Sequence, residues 1–328
     1  MLVTLCGVVA FPVLGCGSDE SKGDGGDGQL SEPPTTAFPK PSGRSLRALL
    51  EPMRQGPILA PGESLLVPGR HRFSFALFDS SRNQIGGLQA ALYVSKGLDE
   101  TAHGPFTADY EKIQLDPRFA SKTTAQDADS AKAIYTANVS FNAPGTYLAS
   151  ALVEFDNKLL ATSPTQLTVR RSGQTPGPGD RAPRVHTPTK ASVGGDLSKI
   201  DTRVPPDTMH EVDLVDALDR HRPVILLFAT PALCVSRVCG PVTDVAEQVK
   251  AEYGRRADFI HMEIYKDNDP SKGVRPQVRA YGLCYERRGD ICHEPFLFAI
   301  NSSGRIVERI EGAFSARELE NVVHEALR

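Results

Sequence analysis

The fold is decided by residues 224–241, which read VILLFATPALCVSRVCGP. The stretch opens with a continuous apolar run, which is typical of a central β-strand buried on both faces. Cys234 and Cys239 follow with four residues between them, and apolar residues then recur at helical spacing from Val242 onwards. A thiol at the start of a helix lies near the positive end of the helix dipole, which favours the reactive thiolate. The stretch therefore predicts a reactive or structural pair of thiols at a strand-to-helix turn.

The composition is that of an ordinary globular protein. The chain has 328 residues, enough for about two domains. Hydrophobic residues make up 40% of it and charged residues 23%. The net charge is −3, and the sequence contains no basic cluster. These values argue against nucleic acids as partners and against attachment to an anionic membrane surface through charge.

The N-terminal segment has the features of an export signal. Residues 1–15 are almost wholly apolar, and they are too few to span a bilayer, which takes about 20 residues. The segment runs into VLGC, ending at Cys16, which resembles a bacterial lipobox. That resemblance implies a signal peptide over 1–15, lipidation of Cys16, and anchoring to the outer face of the cell membrane or to a periplasm-facing leaflet. Residues 16–67 are rich in Gly, Ser, Pro and Asp, and we predict that they form a flexible tether.

Residues 68–171 carry the patterns of β-strands. Phe73 and Phe75 lie at alternate positions, the period of a half-buried strand. Further candidate strands cover residues 88–94, 134–141, 145–155 and 166–170. The polar stretch 95–133 is predicted to be a long loop with a short helix. Short strands separated by turns favour an all-β sandwich. The run FNAPGTY at 141–147 resembles the strand-turn-strand of bacterial immunoglobulin-like domains, which implies an Ig-like sandwich.

The C-terminal part has a different pattern. A Pro/Gly-rich linker is predicted over 172–183, and strand and helix patterns then alternate through 184–328. The order strand, helix, strand, helix, strand, strand, helix, with cysteines after the first strand, resembles the thioredoxin fold. The motifs that carry this resemblance are GDRAP at 179–183, FATPALC at 228–234, and AYG at 280–282 before a strand opening at Pro295. The resemblance implies an α/β thioredoxin-like domain of the exported kind.

The resemblance also implies roles for individual residues. Cys234 is expected to be the exposed nucleophile, and Cys239 the buried resolving thiol. Pro295 is expected to follow a cis bond from Glu294, to face the disulfide and to help hold a substrate chain. In a second register, Cys239 begins a Cys-Gly-Pro-Cys box whose other thiol is replaced by Val242.

The sequence departs from the family at three points. Four residues separate the cysteines where two are usual, the chain has no Trp, and Leu227 stands where a buried acid is common. Glu294 is the candidate for the missing acid or base, or else a polar residue at the entrance to a strand. Arg237 between the cysteines is either a stabiliser of the thiolate or a solvated loop residue.

Disulfides are expected because the protein is predicted to be exported. Two of the six cysteines lie in the first 16 residues, and the other four allow three pairings. Short loops favour Cys234 with Cys239 and Cys284 with Cys292. The second pair brackets an apparent insertion, and is either a staple or a second redox pair that relays electrons to the first.

The main functional hypothesis is therefore a membrane-anchored, extracytoplasmic thiol-disulfide oxidoreductase. Its partners would be exported client proteins or a membrane thiol reductant or oxidant. The alternative is a redox-inactive interaction module with a structural disulfide. A third hypothesis is copper handling through Cys234, Cys239 and His293, a ligand set resembling that of copper chaperones in the same superfamily. No other cofactor is expected. His261 is predicted to be a core histidine, and His210 and the remaining histidines show no ligand spacing.

Overall fold

The computed structural model describes residues 37–285 and 291–328. The predicted signal peptide, Cys16 and the first part of the tether lie outside these residues. In the described ranges, no helix has both the length and the apolar character needed to cross a membrane.

The first domain is built mainly from β-strands. Its helices are α1 (Leu46–Leu50) and α2 (Lys122–Ala125). Its strands are β1 (Arg54–Gln55), β2 (Ile58–Pro61), β3 (Gly69–Phe78), β4 (Gln84–Ile85), β5 (Ala90–Ser95), β6 (His103–Lys112), β7 (Ala133–Phe141), β8 (Gly145–Phe155), β9 (Lys158–Ala161) and β10 (Thr165–Val169).

These strands form one continuous sheet in the order β1-β9-β8-β5-β6-β7-β3-β2, with β10 paired to β8 and β4 paired to β3. Its apolar core includes Phe73 and Phe75, as their alternation predicts, and Phe75 stacks on Tyr135 with ring centroids 5.3 Å apart. The all-β character of the domain is therefore confirmed. The two-sheet Ig-like arrangement is not confirmed, because hydrogen bonds link all the strands into one sheet.

Strand β6 corrects the predicted loop over 95–133. It pairs with both β5 and β7. Its inward residues Phe106, Ala108 and Tyr110 are only partly buried, and Gly104-Pro105 near its start reads as a break in the sequence. These features conceal a strand that tertiary pairing stabilises.

Residues 37–67 correct the predicted tether boundary, because they belong to the folded body. Ser45 caps α1 by accepting a hydrogen bond from the backbone of Ala48. Leu46 and Leu49 on this helix are fully buried. Prolines and glycines are spread through the segment, which is typical of a linker, but these two leucines pack into the core.

This correction predicts a stability effect. Leu49→Ala should lower the free energy of unfolding by about 2–5 kcal/mol, because it leaves a cavity in the core. Ile58→Ala in the same segment is the control, since Ile58 is 52% exposed and should cost less than about 0.5 kcal/mol. Urea unfolding of the full chain measures both changes in the free energy of unfolding. If both are equally small, the segment behaves as the flexible tether that the sequence predicts.

The second domain contains helices α3 (Leu214–Asp219), α4 (Cys239–Tyr253), α5 (Pro276–Ala280) and α6 (Ala316–Ala326). Its strands are β11 (Val224–Phe228), β12 (Asp258–Met262), β13 (Cys284–Tyr285), β14 (Ile291–Cys292), β15 (Phe296–Ile300) and β16 (Ile306–Glu311). Short 3₁₀ turns lie at Leu197–Lys199, Lys266–Asn268 and Pro270–Lys272.

Four of these strands form a mixed sheet in the order β12-β11-β15-β16. Strands β11 and β12 are parallel, whereas β15 is antiparallel to both of its neighbours. All of β11 is buried: Ile225 and Leu227 pack towards α4 and α6, and Leu226 packs towards α3 and α5. Along the chain, the main strands and helices follow the order on which the thioredoxin-like resemblance rests, and the mixed α/β class is confirmed.

The predicted linker is packed rather than free. Thr175 and Ala182 are buried, and Arg309 on β16 donates to the carbonyls of Thr175 and Pro176. Contacts also join the first domain to the second, since Arg72 on β3 donates to the Ala313 carbonyl at 2.6 Å. The described residues form one compact unit, so the two domains are held together by more than a linker.

Candidate functional site

The cysteine pair lies at the connection between β11 and α4. Cys234 sits in the turn after the strand, and Cys239 is the first residue of the helix. The two form a disulfide with Cα atoms 5.9 Å apart, within the usual range for such a bond. Cys239 is fully buried and Cys234 is 7% exposed. The pairing favours the first register, in which Cys239 has a partner thiol, but Cys234 is buried almost as fully as Cys239 and is not exposed as predicted.

Glu294 stands beside the inner sulfur. Its Oε2 lies 3.6 Å from Sγ of Cys239, and its peptide bond to Pro295 is cis, as the resemblance implies. Burial raises the pKa of Glu294 to about 7, although hydrogen bonds with Thr230 act against the rise. A carboxyl group with this pKa exchanges protons near neutral pH. Glu294 therefore places a carboxyl group beside the inner sulfur, whereas Leu227 on β11 offers none.

Arg237 is directed to the first domain. Its Nη1 lies 3.3 Å from Oδ2 of Asp127, and its carbonyl accepts a hydrogen bond from the backbone of Ala131. The residue has a left-handed backbone with φ of 59°. Its charge is shared with Asp127, so stabilisation of a thiolate by Arg237 remains only a prediction.

The first domain covers the start of α4. Ser121 donates from its hydroxyl and its backbone to Oδ2 of Asp244, and Arg203 donates to Oδ1 of the same carboxylate at 2.7 Å. A Cβ on Gly240 would come within 2.8 Å of Oγ1 of Thr124, so a larger residue there would require the Thr124 side chain to move. Sequence patterns did not reveal this cover, because Ser121 lies 123 positions before Asp244.

Apolar side chains flank the outer sulfur. Leu233 is 38% exposed and Val235 is 93% exposed, on either side of Cys234. The hydroxyl of Ser236 lies 3.1 Å from Sγ of Cys234. Cys234, itself only 7% exposed, thus lies between two exposed apolar side chains.

His293 is not brought to the thiols. Its Nδ1 lies 2.6 Å from Oγ of Ser64 and 3.1 Å from Oε1 of Glu311. Among the described residues, the cluster of ligand atoms at the disulfide contains Glu294 with the two cysteines but not His293. Neighbouring residues of an extended segment point to opposite sides, which separates His293 from Glu294. The predicted copper ligand set is therefore not assembled.

The second predicted pair, Cys284 and Cys292, is also a disulfide. The two residues face each other across β13 and β14. This pairing holds the thiols together even after reduction and so favours reoxidation. We predict a potential below about −300 mV, as in structural disulfides. Glutathione titration with alkylation and mass spectrometry should find Cys284–Cys292 closed at potentials that open Cys234–Cys239. A trapped mixed disulfide between the pairs would instead support the relay.

Comparisons with known proteins add little to this geometry. No family model matches the chain, and no curated protein matches it. One similar solved structure is a thiol:disulfide interchange protein, a thioredoxin family protein from Chlorobium tepidum TLS. It is 18% identical, with a TM-score of 0.29, and the match covers 48% of this chain and all of that one. The site described above is therefore interpreted from its own residues.

Proposed function

We propose that the protein is a thiol-disulfide oxidoreductase that works through Cys234 and Cys239. The observation that carries the proposal is the carboxyl group of Glu294, 3.6 Å from the sulfur of Cys239 and with a pKa of about 7. A purely structural disulfide has no use for a buried proton acceptor. An exchange centre needs one, because each thiol must lose its proton before it attacks.

The exchange can be written for reduction of a client. The thiolate of Cys234 attacks one sulfur of the client disulfide, forms a mixed disulfide and releases the other client sulfur as a thiolate. Cys239 then gives its proton to Glu294 and attacks Sγ of Cys234. The mixed disulfide breaks, the intramolecular disulfide forms, and the second client sulfur leaves as a thiolate that takes up a proton. Two electrons pass to the client, and oxidation of a client dithiol is the reverse sequence.

Client recognition is assigned to the surface around Cys234. Leu233 and Val235 offer apolar contacts, and Pro295 precedes β15 next to Glu294. Client chains of the exported compartment would approach on this side, because α2 and its neighbours cover the start of α4.

The anchor is the second element of the proposal. Support comes from the VLGC motif at Cys16 and from the polar segment after it. Attachment would place the redox site at an extracytoplasmic membrane surface, where disulfides form and persist. Metabolic labelling with a fatty acid should label the wild-type chain and leave Cys16→Ala unlabelled.

A direct test of the exchange uses the reduced full chain and a peptide that contains one disulfide. The protein should reduce the peptide and end with Cys234–Cys239 closed, one disulfide formed for each one broken. If the protein reduces the peptide no faster than a free dithiol does, the result favours the redox-inactive interaction module.

A further inference from the structure

A second cluster of chemically capable side chains lies outside the thiol site and is distinct from the proposed function. It comprises Asp201, Asp207, His210 and His261, whose exposed fractions are 4%, 1%, 2% and 1%. One ligand atom from each of the four lies within 4.8 Å of the others. Three of the residues come from the segment before α3, and His261 comes from β12.

His210 is the residue that needs an explanation. Among the described residues, neither of its ring nitrogens has a hydrogen-bond partner. Its Nε2 lies 3.4 Å from Oδ2 of Asp201 and 3.4 Å from Oδ1 of Asp207. Ligand atoms around a tetrahedral ion with bonds of about 2.0–2.1 Å are separated by about 3.3–3.4 Å. The spacing around His210 is thus that of a coordination shell.

His261 is oriented like a metal ligand. Its Nε2 donates to the carbonyl of Ala229 at 3.1 Å, so this nitrogen carries a proton. Its Nδ1 is hydrogen-bonded to Oδ2 of Asp207 at 2.7 Å and lies 4.0 Å from Oδ1 of Asp201, so a bound ion would take the place of the Nδ1 proton. Metal-bound histidines usually donate their other ring nitrogen to a carbonyl or carboxylate, which sets the tautomer.

The carboxylates are held by backbone donors. Asp201 accepts from the backbone nitrogens of Arg203 and Asp207, and Asp207 accepts from that of Met209, at 2.7–2.8 Å. The guanidinium of Arg203 is directed to Asp244. A divalent ion bound here would balance the charge of both buried carboxylates, with both histidines neutral.

We propose that Asp201, Asp207, His210 and His261 bind one Zn²⁺ ion. Two imidazoles and two carboxylates suit this ion, and a closed four-ligand shell is typical of structural zinc. The ion would tie the segment before α3 to β12. Through Ala229, it would also support the turn that carries Cys234.

The test is metal analysis of the full chain, purified without a histidine tag and with its disulfides closed, so that no free thiol competes. We expect one zinc per chain after dialysis. His210→Ala and Asp201→Asn should each lose it. His186→Ala should keep it, since the His186 side chain is 81% exposed. Co²⁺ added to the chelator-treated protein should give a d–d spectrum without sulfur-to-metal charge transfer.

Wild-type protein alone can overturn the proposal, whatever the variants do. A folded, oxidised wild-type chain that carries no stoichiometric zinc and takes up neither added Zn²⁺ nor Co²⁺ would refute it. The same metal content in wild type and in folded His210→Ala or Asp201→Asn would refute it as well, because the ion would then lie elsewhere.

Discussion

Cys239→Ser is expected to hold client proteins through a stable mixed disulfide, whereas Cys234→Ser is expected to lose exchange by about a thousand-fold or more. Cys234 keeps 7% of its surface exposed in the turn after β11, whereas Cys239 is fully buried at the start of α4. Without Cys239 the mixed disulfide cannot be resolved from inside the protein. Without Cys234 no accessible sulfur remains at the turn to form one.

The measurement is the yield of mixed disulfide with a peptide disulfide, read on non-reducing gels and located by mass spectrometry. The double variant Cys284→Ser/Cys292→Ser is the matched control, and while folded it should exchange like wild type. Equal yields of mixed disulfide from Cys234→Ser and Cys239→Ser would contradict the roles assigned to the two cysteines.

The second large effect is expected from Glu294→Gln. The amide cannot accept the proton of Cys239, so the resolving step should slow by about a hundred-fold or more. In wild type, Glu294 accepts this proton only when ionised, and its pKa is about 7. The wild-type rate should therefore rise with pH through about 7, and the variant should lose this inflection. Rapid-mixing kinetics from about pH 5.5 to about pH 8.5, roughly one and a half units on each side of the pKa, would measure both rates.

The same substitution, Glu294→Gln, should raise the stability of the protein at alkaline pH although it slows exchange. Burial raises the pKa of Glu294, so the folded state binds its proton more tightly than the unfolded state does. The stabilisation is complete below the unfolded pKa and is lost as pH rises through about 7. Glu294→Gln has no such loss and should be more stable than wild type at alkaline pH. The exposed Glu51→Gln is the control and should change neither property. A variant that is slower only because it is less stable would contradict the proton-acceptor role.

Local patterns predicted the part of the site that is local in sequence. The apolar run of β11 is buried along its length, and Cys234 and Cys239 lie at the following turn as predicted. The apolar pattern of a strand or a helix depends on residues close together in the chain, so both elements can be predicted from the sequence. The proximity of Glu294 to Cys239 depended on the resemblance, because the two residues are 55 positions apart.

Features made by tertiary packing were not predicted. His210 and His261 lie with ring centroids 5.2 Å apart, although their spacing in the sequence suggests no shared site. The cover over α4 depends on pairs such as Ser121 and Asp244, which only the folded chain brings together. The segment around Leu49 was assigned to the tether because composition averages over the few residues that anchor it.

The most direct test of the proposed function is the equilibrium potential of Cys234–Cys239 in the full wild-type chain. The protein is equilibrated with glutathione buffers, its free thiols are alkylated, and the modified cysteines are located by mass spectrometry. We predict reversible opening between about −120 and −270 mV, the range of proteins that exchange disulfides. A pair that stays closed below about −300 mV, or that never closes, would contradict the oxidoreductase and leave a structural module.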